Sequence, residues 1–172
     1  MRPTTTIAAA CVVFGLTSTA ALAANGGQSD LAAARQATAA FHSVSQAEAA
    51  GYASTLESLG CFENPGVGGM GLHYLRADLL DDEVDVAQPE ALVYEMRSNG
   101  DLKLAGHEYI VPVDAWTDAE PPMLFGQEFH QHPTLPLYVL HAWVWRPNPA
   151  GMFVDWNPKV RECPAGVPVF GA

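Results

Sequence analysis

The chain has 172 residues, with nineteen Asp and Glu against eight Lys and Arg and a formal net charge of −11. That balance argues against nucleic acid and anionic membranes as partners, since both require a basic surface. The length is that of one domain able to bury a core, and six histidines stand out in a chain short of other basic residues.

Residues 1–23 read as a targeting segment. Arg2 supplies a short positive region, Ile7 to Leu16 form an apolar core too short to span a bilayer, and Ala21-Leu22-Ala23 has the small-x-small form of a cleavage site. An N-terminal membrane anchor is the competing reading, and a lipoprotein through Cys11 is weaker because that cysteine opens the apolar run instead of following it. The mature chain, residues 24–172, is then exported as a single domain with no membrane attachment. It retains Cys61 and Cys163, an even count in an oxidising compartment, which predicts one disulfide. A loop of that length is stabilised by roughly 4–5 kcal/mol in the entropic account. The alternative, two soft metal ligands, lacks a Cys-x-x-Cys neighbour for either residue.

Ser29 and Asp30 offer an N-cap to a helix running to about Ala50. Leu31, Ala34, Thr38, Phe41, Ser45 and Glu48 form its apolar stripe, and Gly51 stops it. The stripe is narrow and rich in alanine, which predicts close packing on a sheet, with His42 at the surface. Residues 64–71 then read as a flexible glycine-rich loop. They match G-x-G-x-x-G, but they follow a helix and lead into an extended His73-Tyr74-Leu75, the wrong setting for a dinucleotide site.

Residues 92–111 predict a hairpin. Leu92, Tyr94 and Met96 alternate before Ser98-Asn99-Gly100, and Leu102 and Leu104 alternate after it. A three-residue loop pairing Arg97 with Asp101, with Gly100 left-handed, keeps these apolar residues on one face. Continued unbroken, that register turns Glu108 inward and His107 and Tyr109 outward; a bulge at Gly106 exchanges the two roles. A carboxylate on an apolar face is costly unless paired or metal-bound.

The proline-rich stretch 112–136 predicts a long functional loop that delivers Glu128, His130 and His132 to the next strand. That strand, Leu137 to Arg146, places Val139, His141, Trp143 and Trp145 on one face. Asn148 to Gly151 then turn, Met152 to Trp156 form a short last strand, and the tail beyond Cys163 is loosely held. The fold expected is α+β: an N-terminal helix packed on an antiparallel sheet, closed by one disulfide.

His73, Glu108 and His141 lie on predicted strands, and His132, ahead of His130, is the fourth ligand from the loop. Two histidines with a carboxylate around an open position suit non-haem iron, and three histidines with a carboxylate suit zinc, copper or manganese. Asp155 or Glu128 is the expected acceptor for a free ring nitrogen. A buried histidine is also commonly just a hydrogen-bonded core residue, and that reading stands beside the ligand reading for each of the four. His130-Gln131-His132 resembles the first half of the cupin metal motif, although Gly126 stands too close and no glutamate follows. His107-Glu108 opens like H-E-x-x-H, but Val111 replaces the second histidine.

Several segments together carry a broader resemblance: Gly69-Met70-Gly71-Leu72-His73-Tyr74, Glu108-Tyr109, Leu140-His141-Ala142-Trp143 and Asn148-Pro149-Ala150-Gly151-Met152-Phe153. Over about residues 37–163 the chain resembles a widespread family of exported bacterial proteins of unassigned function. The resemblance implies that His73, Glu108 and His141 occupy recurrent positions, and it implies no reaction.

The leading expectation is an exported protein that binds one divalent transition metal (Zn, Cu, Fe or Mn). An open coordination position would extend this to a metalloenzyme acting on a small molecule, with Tyr74, Tyr94 or Tyr109 as proton donor. A copper or zinc carrier using Met70, Met123 and Met152 is one alternative. A metal-free binding module lined by Trp143, Trp145 and Trp156 is another.

Overall fold

The computed structural model describes residues 19–171, with side chains from Gly27 to Phe170. Most of the targeting segment inferred at 1–23, including Arg2, Cys11 and the apolar run, lies outside the described residues. Among those described, no helix is long and apolar enough to cross a membrane.

The chain is a mixed α+β structure dominated by one large sheet. Helix α1 (Thr19–Thr38) is followed by a 3₁₀ turn at Ala39–His42 and by the short helix α2 (Val44–Ala49). The ten strands among the described residues are β1 (Ala53–Ser54), β2 (Cys61–Asn64), β3 (Gly68–Leu75), β4 (Ala91–Met96), β5 (Leu102–Pro112), β6 (Met123–Leu124), β7 (Gln127–Glu128), β8 (His130–Gln131), β9 (Leu137–Ala142) and β10 (Val169–Gly171). The main sheet runs β10-β2-β3-β4-β5-β9-β8, with β1 also paired to β3; β6 and β7 form a separate ribbon. Its pairings are antiparallel except β10 with β2.

The continuous helix expected to Ala50 is broken. The Thr38 hydroxyl donates to the Ala34 carbonyl (2.8 Å), and the Tyr94 hydroxyl donates to the Phe41 carbonyl (2.6 Å). The latter bond captures an acceptor that a continuing helix would need, and Ser43 turns extended. At the other end the helix starts at Thr19, so Ser29 and Asp30 are interior and do not cap it. Ala20, Ala21, Ala23 and Ala24 favour that extension by propensity, while Gly26 and Gly27 oppose it. Leu31 and Ala34 are buried in a cluster with Tyr109, Val111, Leu140 and Ala142.

The hairpin forms in the expected register. Met96 pairs with Leu102 and Tyr94 with Leu104, the Arg97 N–H donates to the Asp101 carbonyl (2.8 Å), and Gly100 has φ +84°. Beyond it the ladder slips, because Val93 pairs with Gly106 and Leu92 with His107. Ala105 is thus an extra residue in β5. Its carbonyl accepts the N–H groups of Trp145 (3.1 Å) and Arg146 (2.8 Å). Gly106 permits the bulge, since a Cβ there would lie 2.9 Å from the Ala142 carbonyl oxygen and 3.3 Å from the Trp143 ring.

The bulge sorts the two faces of the sheet. His73, Ala91, Val93, Glu108, Ile110, Val139 and His141 share one face by pairing and alternation; Leu72, Tyr74, Leu92, Tyr94, His107, Tyr109 and Leu140 share the other. His107 is therefore fully buried, not at the surface as the unbroken register required. The Tyr94 and Tyr109 hydroxyls are engaged on that far face, with the carbonyls of Phe41 and Val86. Tyr74, Tyr94 and Tyr109 are thereby removed as proton donors to Glu108.

Four further expectations are corrected. The glycine-rich run is loop only to Val67; from Gly68 it is strand β3. Gly69 exchanges backbone hydrogen bonds with Asn157 (3.2 and 3.0 Å), and a Cβ at Gly69 would lie 3.0 Å from the Arg161 carbonyl oxygen, so the missing side chain permits close backbone approach. The strand expected to Arg146 ends at Ala142, where the chain turns towards the Ala105 carbonyl and places Trp145 against the α1 side. Met152 to Trp156 are not a strand; the Trp143 N–H donates to the Met152 carbonyl and the Trp143 indole N–H to that of Val154. The tail is also held, for β10 runs parallel to β2 just after the Cys61–Cys163 disulfide (Cα–Cα 6.0 Å).

Candidate metal centre

His73 on β3, Glu108 on β5 and His141 on β9 converge on one face. Glu108 and His141 are direct cross-strand partners, while the intervening strand β4 contributes Ala91 opposite Glu108 and Val93 opposite His73. A small residue opposite Glu108 leaves space across which His73 reaches the carboxylate. His73 Nε2 lies 3.3 Å from Glu108 Oε2, and His141 Nε2 lies 3.7 Å from Glu108 Oε1. One ligand atom from each residue falls within 4.8 Å of the other two. All three residues are buried, at 5%, 8% and 2% exposure in chain order.

Asp155 completes the geometry. Its Oδ1 lies 3.1 Å from His141 Nδ1 and its Oδ2 lies 3.1 Å from His130 Nε2. A carboxylate accepts only from N–H, so His141 carries a proton on Nδ1, which leaves Nε2 as the ring atom that a metal could take once it is deprotonated. That Nε2 is buried with no hydrogen-bond partner, as is His73 Nδ1. His73 is held instead by an edge contact with Phe62 (4.6 Å between centroids), and the Trp143 ring stacks on His141 (6.1 Å, 15°).

The electrostatics follow from burial. Desolvation, with lesser repulsion from His141 and His132, holds His73 well below the usual imidazole range, at about 3, so this ring is neutral at pH 7. Desolvation raises the Glu108 carboxyl against the opposing pull of His141. For His141 desolvation works downward, but Glu108 and Asp155 outweigh it and raise the ring's pKa. Burial likewise opposes ionisation of Asp155, yet the hydrogen bonds from His130 and His141 hold it below the usual carboxylate range.

The other expected ligands are placed differently. His130 is bound to Asp155, with a side chain 46% exposed. His132 lies on the cavity wall, outside the group of three. Its Nδ1 accepts the backbone N–H of Thr134 (3.2 Å) and Leu135 (3.1 Å), which places the ring proton on Nε2 and removes the lone pair a metal would need there. Glu128 is exposed, so of the two proposed acceptors Asp155 alone meets a site histidine.

The centre opens into a cavity of about 400 Å³ whose walls include Phe62, Met70, Trp156 and Phe170. A narrower apolar recess of about 80 Å³ shares Phe62, His73, Glu108 and His132 with it. That Phe62 and Phe170 are neighbours is not legible in the sequence, because their contact (4.8 Å) depends on parallel pairing across more than a hundred residues. Glu90, just before the apolar strand β4, is a buried carboxyl that accepts the Ile110 N–H (2.8 Å).

A metal with bonds near 2.1 Å sets adjacent ligand atoms about 3.0–3.5 Å apart, close to the two distances to Glu108. The donor set, two imidazoles and a carboxylate, suits zinc or non-haem iron and leaves room for further ligands. No protein-family model, curated protein or solved structure matches the chain.

Proposed function

We propose that this chain is an exported metal-binding protein in which His73, Glu108 and His141 hold one divalent transition metal, with an open coordination position that serves a small-molecule reaction. The observation that carries this reading is the buried Nε2 of His141, which has no hydrogen-bond partner, is oriented by the bond from Nδ1 to Asp155 and lies beside Glu108. A buried polar atom without a partner is costly, and coordination would satisfy it. A metal so held would supply Lewis acidity or lower the pKa of bound water. The protein's own part is to hold two imidazoles and one carboxyl group in register, orient His141 through Asp155, and limit water with the aromatic walls. Export is supported by the Cys61–Cys163 disulfide, which suits an oxidising compartment. Membership in the exported bacterial family whose segments it resembles is part of the same proposal.

The carrier alternative is weaker, since Met70 lines the cavity while Met152 packs on the far-face cluster and Met123 is 60% exposed. A metal-free binding module is weakened similarly: Trp156 lines the cavity, but Trp143 is buried in the core and Trp145 packs on the far face. Calorimetric titration of Zn²⁺ into wild type and Glu108→Gln tests the leading reading. The account expects Zn²⁺ affinity to fall by at least about tenfold in the variant, which keeps the shape and loses the charge. Equal affinity would overturn it.

A further inference from the structure

We infer that the centre's ligand is a small amphipathic oxyanion, a carboxylate on a short apolar chain, and that His132 is the residue that positions its head. The inference rests on the metal reading above and adds the ligand class.

The head-group assignment follows from proton placement and charge. His132 is pinned on three sides: its backbone N–H donates to the Leu137 carbonyl (2.8 Å), and its Nδ1 accepts from the backbone N–H of Thr134 and Leu135. The remaining ring atom, Nε2–H, is a donor on a side chain that lines both the main cavity and the recess. A divalent metal with two neutral histidines and one glutamate carries a net charge of about +1, which one carboxylate neutralises. One carboxylate oxygen takes the open metal position and the other accepts from His132 Nε2–H.

The tail assignment follows from the recess. Beyond the shared residues, its walls are mainly aliphatic, among them Leu59, Leu75, Leu80, Ile110 and Leu137, and the hydroxyl of Thr55, the one further polar side chain there, already donates to the His73 carbonyl (3.0 Å). Its volume of about 80 Å³ holds a short alkyl chain and no ring system of drug size. It adjoins the centre through His73 and Glu108, so a head at the metal delivers the tail directly into it.

The test uses the purified full chain reconstituted with Co²⁺, whose visible bands report an added ligand, with acetate, hexanoate and hexanol as probes. Hexanoate is expected to bind at least about tenfold more tightly than acetate, from methylene burial, and about tenfold more tightly than hexanol. Leu80→Trp, at a partly exposed wall position, is expected to abolish the advantage of hexanoate over acetate while leaving acetate unchanged. Leu59→Trp, at a second partly exposed wall position, checks this. His132→Phe is expected to weaken both carboxylates about tenfold with the cobalt bands of the ligand-free protein unchanged. Equal binding of acetate and hexanoate, or an equal loss of both in Leu80→Trp and Leu59→Trp, overturns the tail assignment. Equal binding of hexanol and hexanoate overturns the oxyanion head, and loss of cobalt in His132→Phe makes that residue a ligand. If wild type takes up no cobalt, the metal reading fails by itself. Tryptophan fluorescence of the metal-free protein then decides the ligand class: hexanoate preference lost in Leu80→Trp sustains it, and no preference overturns it.

Discussion

Replacing Asp155 by asparagine isolates the orienting bond from the ligands themselves. In the native arrangement both carboxylate oxygens accept, one from His141 Nδ1 and one from His130 Nε2, each at 3.1 Å. An amide of the same shape offers one acceptor and one donor. If the donor faces His141, that ring must move its proton to Nε2, which removes the lone pair the metal needs. If the acceptor faces His141, the orientation survives with a weaker, uncharged partner. Either outcome lowers metal affinity, by about 10–100-fold for an outer partner of this kind, or about 1.4–2.7 kcal/mol. The assay is a Zn²⁺ competition titration against a chelator of known affinity at neutral pH, with circular dichroism to confirm folding. His130→Asn serves as a control and should change affinity little, because His130 touches Asp155 and is not in the ligand group. An unchanged Zn²⁺ affinity in Asp155→Asn would refute the claim that Asp155 orients His141 for the metal.

Two further predictions concern buried groups outside the centre. Burial raises the Glu90 carboxyl from 4.5 to about 8, so the unfolded chain releases its proton first as pH rises. Stability from this group is fully present below about pH 4.5 and is lost between there and about 8. Thermal melts should show Glu90→Gln flattening the wild-type decline over that window, by an amount on the order of a few kcal/mol; parallel pH profiles would contradict this. Thr38→Val removes the partner of His107 Nε2 (2.8 Å), which should cost about 1–3 kcal/mol in urea unfolding. Zn²⁺ affinity should not change, because His107 lies on the sheet face away from the centre, and a changed affinity would show the two faces to be coupled.

What the sequence disclosed depended on how local the cause was. The Ser98-Asn99-Gly100 turn fixes its own register through one left-handed glycine, so the hairpin was readable from six or seven adjacent residues. The bulge three pairs further on was legible only as an alternative at Gly106, because the choice depends on the approach of Ala142 and Trp143 to Gly106 from a segment far along the chain. That one slip exchanged the faces of His107 and Glu108 and buried both. The apolar stripe of the first helix was legible, but its break after Thr38 depends on Tyr94 reaching the Phe41 carbonyl. His73, Glu108 and His141 were legible as donors on strands, and Asp155 as one of two acceptors. The proton position on His132 was not, since it comes from two backbone N–H groups in a loop without periodicity.

The central claim is that this chain holds a metal at His73, Glu108 and His141. Its most direct measurement is elemental analysis of protein purified without chelator, beside a His73→Ala, His141→Ala double variant shown to be folded. About one transition-metal ion per chain is expected in the wild type, identified by element, with its loss in the double variant. No metal after reconstitution with iron, copper, zinc and manganese, or equal metal in both proteins, would contradict it.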